Sequence, residues 1–416
     1  MEAQEFLLDL FHAALAAVEP ARVVPRHLPK PPRGRTVVIA AGKAAASMAQ
    51  SVEEVWNGPL SGLAVTRYGH GVKCERIEVI EAGHPYPDDV GRVTAGRALE
   101  LMSGLGADDL ALFLISGGGS SLLARPAFGL SLADKQLVTR ELLTSGATIS
   151  EINRVRKHLS AIKGGRLAEA ALPARMATLV ISDVPGDDPA TVASGPTLAD
   201  PTTLADARDV LAAHSISPPT SVTLHLADAA NETPKTLPMT DVRIVARAAD
   251  ALNAAATHAR NLGIKTTVLG DDLEGEARNL AADHAKLSRS CTPSLLLSGG
   301  ETTVSVGSAN GRGGRNTEYL LALALALDGD QRVHAIACDT DGIDGTEENA
   351  GAIFGPDILV RARALGLDAQ AMLDAHVAYD FFSALGDLVI TGPTRTNVND
   401  FRAILISSGA SQLIDL

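Results

Sequence analysis

Three kinds of residue in this chain stand where chemistry needs them. Residues 110–123, LALFLISGGGSSLL, run an apolar strand into Ser116, Gly117, Gly118, Gly119, Ser120 and Ser121, and then into a second apolar segment. Glycines at a strand-to-helix turn let backbone N–H groups close on an anion, and the helix start favours negative charge, so this stretch reads as a phosphate cradle. The apolar run SLLLS ends in a similar turn, with Gly299, Gly300 and Glu301. Two cations occupy comparable junctions: Lys43 after TVVIAAG, and Arg315 in GRGGRNTE before a strongly apolar helix. A lysine there projects over the C-terminal edge of a parallel sheet, where α/β proteins bind ligands. An arginine there presents its planar fork to a carboxylate or phosphoryl group. Acids also follow strands: Asp183 and Asp187 after ATLVIS, and Asp339 and Asp341 in VHAIACDTDGIDG. Mg²⁺ takes one or two carboxylates beside phosphate oxygens and water, which makes these four candidate ligands.

Each feature also has a plainer reading. Glycine, proline and aspartate build ordinary turns, and surface lysines are usually just solvated. His70 and His84 lie near glycine turns, and His84-Pro85 suits the end of a strand better than catalysis. Arg154, Arg156, Lys157, Lys163 and Arg166 read as a basic run on the second of two helices, and they do not share one face. Asn316 or Thr317 can cap the apolar helix, with Glu318 favouring its dipole. The segment 392–400, with Asn397, Asn399 and Asp400, fits either a binding loop or a long hairpin.

The elements that must position these residues alternate strand and helix along nearly the whole chain. Buried parallel strands read as unbroken apolar runs, and repeated βα units imply an α/β fold. At 416 residues the chain exceeds a single core, and a proline- and threonine-rich stretch near 202–238 marks a boundary between two domains. The first segment, MEAQEFLLDLFHAALAAVEP, has helical apolar spacing and an acidic start, which predicts a docked amphipathic helix rather than a signal peptide. No apolar run approaches the roughly 18–20 residues needed to span a bilayer. Three scattered cysteines without C-x-x-C spacing point to neither a disulfide framework nor a zinc site, and the expected location is the cytoplasm. A formal net charge of −13 argues against an extended nucleic-acid surface and for a small anionic ligand in a local basic site.

Taken together, AAGKAAASMA, LFLISGGGSSLL, VRKHLSAIKGGRLA, SDVPGDDPATVASGPT, LSGGETTVSVGSANGRGGRNTE, DTDGIDG and TGPTRTNVND resemble, in order, the class II glycerate kinases. In that family a DUF4147-type region precedes a leucine-rich MOFRL domain. The resemblance implies a Rossmann-like three-layer α/β/α domain with a parallel sheet over residues 1–230. It also implies a smaller α/β domain over 231–416, with the active site in the cleft between them. It implies ATP-dependent phosphorylation of D-glycerate, usually to 2-phosphoglycerate, with Mg²⁺, in a monomer or homodimer that binds neither nucleic acid nor membrane. The family's essential lysine corresponds to Lys43 and its essential arginine to Arg315. On this reading the two glycine turns serve the nucleotide. Asp183 or Asp187, with Asp339 or Asp341, would hold the metal, and Arg315 would clamp either the glycerate carboxylate or the transferring phosphoryl group. Three positions depart from the family pattern: Thr317 stands where glutamine is frequent, Glu347-Glu348 where Thr-Asp is usual, and Arg395 where glycine is common. The competing expectations are an NAD(P)H-dependent hydroxypyruvate reductase and a non-catalytic anion-binding protein. The first is disfavoured because GGGSS is not G-x-G-x-x-G and lacks the later ribose-binding acid. A surplus of strand-end acids disfavours the second.

Overall fold

The computed structural model describes residues 2–238, 241–306 and 311–408. Contacts divide the chain into residues 20–245 and a unit made of residues 1–19 with 246–416. This differs from the expected 1–230 and 231–416 partition at both ends of the first domain.

In the unit 20–245 the strands are β1 (Thr36–Ala41), β2 (Leu60–Arg67), β3 (Ile77–Ala82), β4 (Leu110–Ser116), β5 (Arg175–Ile181) and β6 (Asp241–Ala246). They form one sheet in the order β3-β2-β1-β4-β5-β6, and the first five run parallel. Every residue of β1 and β4 is buried. Val37, Ile39 and Ala41 join a core with Ala95, Ala98, Leu167 and Ala168 from two helices, while Val38 and Ala40, facing the other way, are buried too. A sheet covered on both faces accounts for the unbroken apolar runs. Strand β6 looks in sequence like the start of a second domain. It joins this sheet because Val242 and Ile244 pack against the same core.

The other unit holds β7 (Thr266–Gly270), β8 (Gly275–Glu276), β9 (Ser294–Ser298), β10 (Thr302–Thr303), β11 (Val333–Asp339), β12 (Gly351–Phe354), β13 (Leu388–Val389) and β14 (Asp400–Ile406). Six of them form a mixed sheet, β13-β12-β11-β14-β9-β7, in which β7 and β9 are parallel and the other neighbours antiparallel. Because β13 pairs with β12 and β14 with β11 and β9, the 392–400 segment is a loop between non-adjacent strands and not a hairpin. The helix Arg315–Leu327 is buried on nearly all sides, so its sequence shows no polar stripe. It packs against the helix Ala277–Ser290 and against β11 and β12. The N-terminal helix Ala3–Ala17 docks in this unit, on the helix Ala248–Asn261 and on β11 and β14, with the Phe11 and Phe401 ring centroids 5.6 Å apart. Among the described residues, no helix is long and apolar enough to cross a membrane.

Candidate active site

In the first unit the strand order reverses between β1 and β4, the position at which open α/β sheets bind ligands beyond their strand ends. Lys43 follows β1, and the first glycine turn follows β4; Ala41 and Ile115 are direct partners in the ladder. The two turns are locked together. The Lys43 N–H donates to the Gly117 carbonyl at 2.8 Å, and the Ala44 N–H donates to Ser116 Oγ at 3.1 Å. Gly42 has φ +131°, and a Cβ there would stand 2.2 Å from Ser116 Oγ. Gly118 has φ +80°, and a Cβ there would stand 3.0 Å from the His84 ring and 3.3 Å from Lys43 Cγ. His84, assigned to a turn from sequence, therefore flanks the same glycine as Lys43.

Within the glycine turn the hydroxyls already have partners. Ser116 is fully buried as a brace for the lysine turn, and Ser121 Oγ donates to the Gly118 carbonyl at 3.0 Å. Ser120 Oγ meets Ser194 Oγ at 3.0 Å and accepts from Lys163 Nζ at 3.0 Å. Lys163 lies in a turn, and Arg166 begins a separate helix, Arg166–Ala170, because the basic helix ends at His158 and Gly164 and Gly165 take φ +58° and +86°. Asp183 is half-buried just beyond β5, and Asp187 follows at φ +56°.

In the second unit the arginine has company that the sequence did not reveal. Asp339 and Asp400 are direct partners across the antiparallel β11–β14 ladder. Like charges so placed repel, and Arg315 sits between them. Its Nε donates to both Asp400 oxygens at 2.8 and 3.0 Å, its Nη2 to Asp339 Oδ2 at 2.8 Å, and its Nη1 to Glu301 Oε1 at 3.0 Å. Burial alone lowers the guanidinium pKa, but Asp400, Asp339 and Glu301 outweigh it and hold the group well above its usual value. Asp400 also accepts from Asn316 Nδ2 at 2.8 Å and from Arg402, whose guanidinium lies 5.4 Å from the Tyr319 ring centroid. Asp400 is legible as a polar residue of the 392–400 segment, whereas the one signal for Arg402 is its two-residue spacing from Asp400, which puts both on one face of a strand.

Asp344 caps the arginine helix from outside it. Its Oδ1 accepts from the Asn316 N–H, and its Oδ2 from the Thr317 N–H and hydroxyl, each at 2.9 Å. Neither Asn316 nor Thr317 is the cap; Thr317 Oγ1 accepts from Gly314 N–H at 3.1 Å. Burial raises the Asp344 pKa against the pull of these donors. Glu318 is buried against His376 Nδ1 at 2.9 Å and against Arg278. Gly299 and Gly300 shape this frame. The Gly299 carbonyl accepts from Arg402 Nη1 at 3.1 Å, the Gly300 carbonyl accepts from the Asp400 N–H at 3.2 Å, and a Cβ on Gly300 would stand 2.2 Å from Leu273 N.

The three departures have local counterparts. Thr317 reaches Asp344, Glu347 pairs with Arg312 at 2.7 Å, and Arg395 keeps the left-handed φ of +62° that favours glycine. Residues 307–310 of the GSANGRGGRN motif lie outside the described residues.

The four proposed metal ligands fall as one pair in each unit. Among the described residues, no three His, Cys, Asp or Glu side chains form a ready-made cage. Asp183 and Asp187, both partly buried in the segment that follows β5, are a donor set that suits Mg²⁺ completed by phosphate and water. Asp339 fits less well, since Arg315 takes one of its oxygens and the Asp341 N–H the other at 2.9 Å.

Comparison with known proteins adds three results. The family model described as "Domain of unknown function (DUF4147)" matches residues 6–227, and the MOFRL family model matches 294–400. A Thermotoga maritima protein named D-glycerate 2-kinase is 39% identical, covering 95% of this chain and 97% of that one. An Agrobacterium vitis protein named putative hydroxypyruvate reductase is 53% identical, covering 98% of this chain and 95% of its own. A crystal structure of a Thermotoga maritima glycerate kinase matches with a TM-score of 0.88 at 38% identity, over 97% of this chain and 99% of that one.

Proposed function

The chain belongs to the DUF4147 and MOFRL family of glycerate kinases, and from that premise we propose that it transfers the γ-phosphoryl group of ATP to a hydroxyl of D-glycerate, giving 2-phosphoglycerate and ADP. One observation carries the reading to particular residues. Lys43 and the Ser116–Ser121 turn meet backbone to backbone at the reversal of a parallel sheet. Phosphoryl transfer depends on positioning and charge neutralisation rather than on a protein nucleophile. In the proposal Gly117, Gly118 and Gly119 approach the nucleotide phosphates, and Lys43 neutralises the transferring group. Asp183 and Asp187 would hold Mg²⁺, which when bound offsets phosphate charge.

Arg315 needs a more specific role than a free clamp, because three carboxylates already surround it. Two of them are buried, whereas the Glu301 side chain is 47% exposed. We assign Asp339 and Asp400 the task of holding the guanidinium. Glu301 is then the contact that an incoming carboxylate or phosphoryl oxygen displaces from Nη1.

The reductase name of the Agrobacterium vitis relative supplies the rival reading. Here the β1 turn is Gly42-Lys43-Ala44-Ala45-Ala46, without the dinucleotide glycine pattern, and β2 ends in Thr66-Arg67 rather than in a ribose-binding acid. Two incubations separate the readings: ATP, Mg²⁺ and D-glycerate, then NADH and hydroxypyruvate. ADP release confined to the first supports the kinase. NADH oxidation confined to the second replaces it with the reductase, and silence in both leaves the non-catalytic reading.

A further inference from the structure

The first unit buries more positive charge than it neutralises. Lys135 is 7% exposed on the helix Leu132–Thr144, Lys163 is 2% exposed in the turn before Gly164, and half-buried Arg156 stands on the helix Ile149–His158 between them in sequence. Lys163 Nζ donates to the Ser120 carbonyl at 2.5 Å and to Ser120 Oγ at 3.0 Å. Lys135 Nζ reaches the Arg125 carbonyl at 3.5 Å, the outer limit of a hydrogen bond. Among the described residues, no carboxylate lies within 4.0 Å of Lys135, Arg156, Lys163 or Arg125. Their neighbours are settled differently: Lys157 faces Asp200 at 3.4 Å, and Arg166 donates to the Lys157 and Asn231 carbonyls.

Burial first, then the charges of Arg156 and Arg166, bring the Lys135 pKa down to about 7. Burial, then Lys135 and Arg156, bring that of Lys163 well below the lysine range. Buried ammonium groups that repel one another are costly unless an anion completes the cluster. Ser120, which Lys163 contacts, is itself partly exposed.

We propose that Lys135 and Lys163 form a binding site for a small anionic group, a carboxylate or a phosphate, joined to the first glycine turn through Ser120. The two lysines are joined in space, since the Arg125 carbonyl accepts from Lys135 Nζ and from Ser160 Oγ at 3.2 Å, and Ser160 Oγ accepts from the Lys163 N–H at 3.3 Å; assignment of the site to substrate or nucleotide rests on the kinase reading.

Calorimetric titration of the full chain with D-glycerate, ADP and inorganic phosphate, each against wild type, Lys135→Met and Lys163→Met, tests this. Methionine keeps the apolar stem and removes the charge. The expected result is a tenfold or greater loss of affinity for at least one probe in Lys135→Met, without a fall in the melting temperature of the ligand-free protein. Glycerate as the affected probe assigns a carboxylate, and ADP or phosphate assigns a phosphoryl group. Smaller losses for all three probes overturn the proposal, as does failure of the wild type to bind any of them. Should Lys163→Met not fold, Lys135→Met alone decides. Anion binding lost in Lys135→Met, in a protein that releases no ADP from ATP and glycerate, would keep this site and sink the kinase reading.

Discussion

Replacing Arg315 with alanine should damage stability as well as turnover. The substitution removes the donors that separate Asp339 from Asp400, whose side chains are 4% and 0% exposed and directly opposite across two strands. Removing one partner of a buried ion pair costs about 3–5 kcal/mol, because a desolvated charge is left behind. Here Asp400 keeps Arg402 and Asn316, and Glu301 is half-exposed, so the loss falls chiefly on Asp339 and belongs near the lower end, about 3 kcal/mol. At roughly 2–4 °C per kcal/mol for a unit of this size, the midpoint should drop by about 6–12 °C. Thermal unfolding followed by circular dichroism, with Arg315→Lys as a partial rescue, measures this. A midpoint for the alanine variant within about 1 °C of wild type would refute the claim that Arg315 is a buried counter-charge.

Other outcomes follow from single contacts. Glu301→Gln removes the negative charge that competes for Arg315 Nη1 while keeping an acceptor oxygen, so KM for D-glycerate should fall with little change in melting temperature; a raised KM would place Glu301 on the substrate side instead. For Glu232, burial raises the pKa, but the hydrogen bond from Lys235 and the Leu204 and Thr233 N–H groups outweigh it and bring it from 4.5 to about 2. A depressed folded value means that its stabilisation is present above about pH 4.5 and is lost as pH falls through about 2, so Glu232→Gln should flatten that acid limb in denaturant titrations. Arg395 holds φ +62° on an exposed loop, and Arg395→Gly should raise stability by about 0.5–1 kcal/mol in urea unfolding, the strain relieved exceeding the entropy lost.

Local features were readable from sequence because they are local. The unbroken apolar runs of β1 and β4, the turns that follow them and the amphipathic first helix all appear where periodicity and glycine placement put them. What the sequence hid depends on partners far along the chain. The N-terminal helix shows that it must bury a face, but not that Phe11 meets Phe401. Strand β6 carries an ordinary strand pattern, and its place beside β5 is decided by tertiary packing. At Arg315 the residue type and helix start were legible. Its surroundings arise from cross-strand register between residues sixty-one positions apart (400 − 339), which no local window contains. The same holds for Asp344, a strand-end acid in sequence and a helix cap in space.

On the proposed reading this chain makes a phosphate ester from D-glycerate with Lys43 at the reacting end of the nucleotide. Phosphorus NMR of the products from ATP, Mg²⁺ and D-glycerate, with wild type and Lys43→Ala in parallel, tests it most directly. The expected spectrum shows 2-phosphoglycerate and ADP from the wild type, and turnover lower by orders of magnitude from the variant at an unchanged melting temperature. An unphosphorylated glycerate pool from the folded wild type, or equal ester formation by the variant, would contradict it.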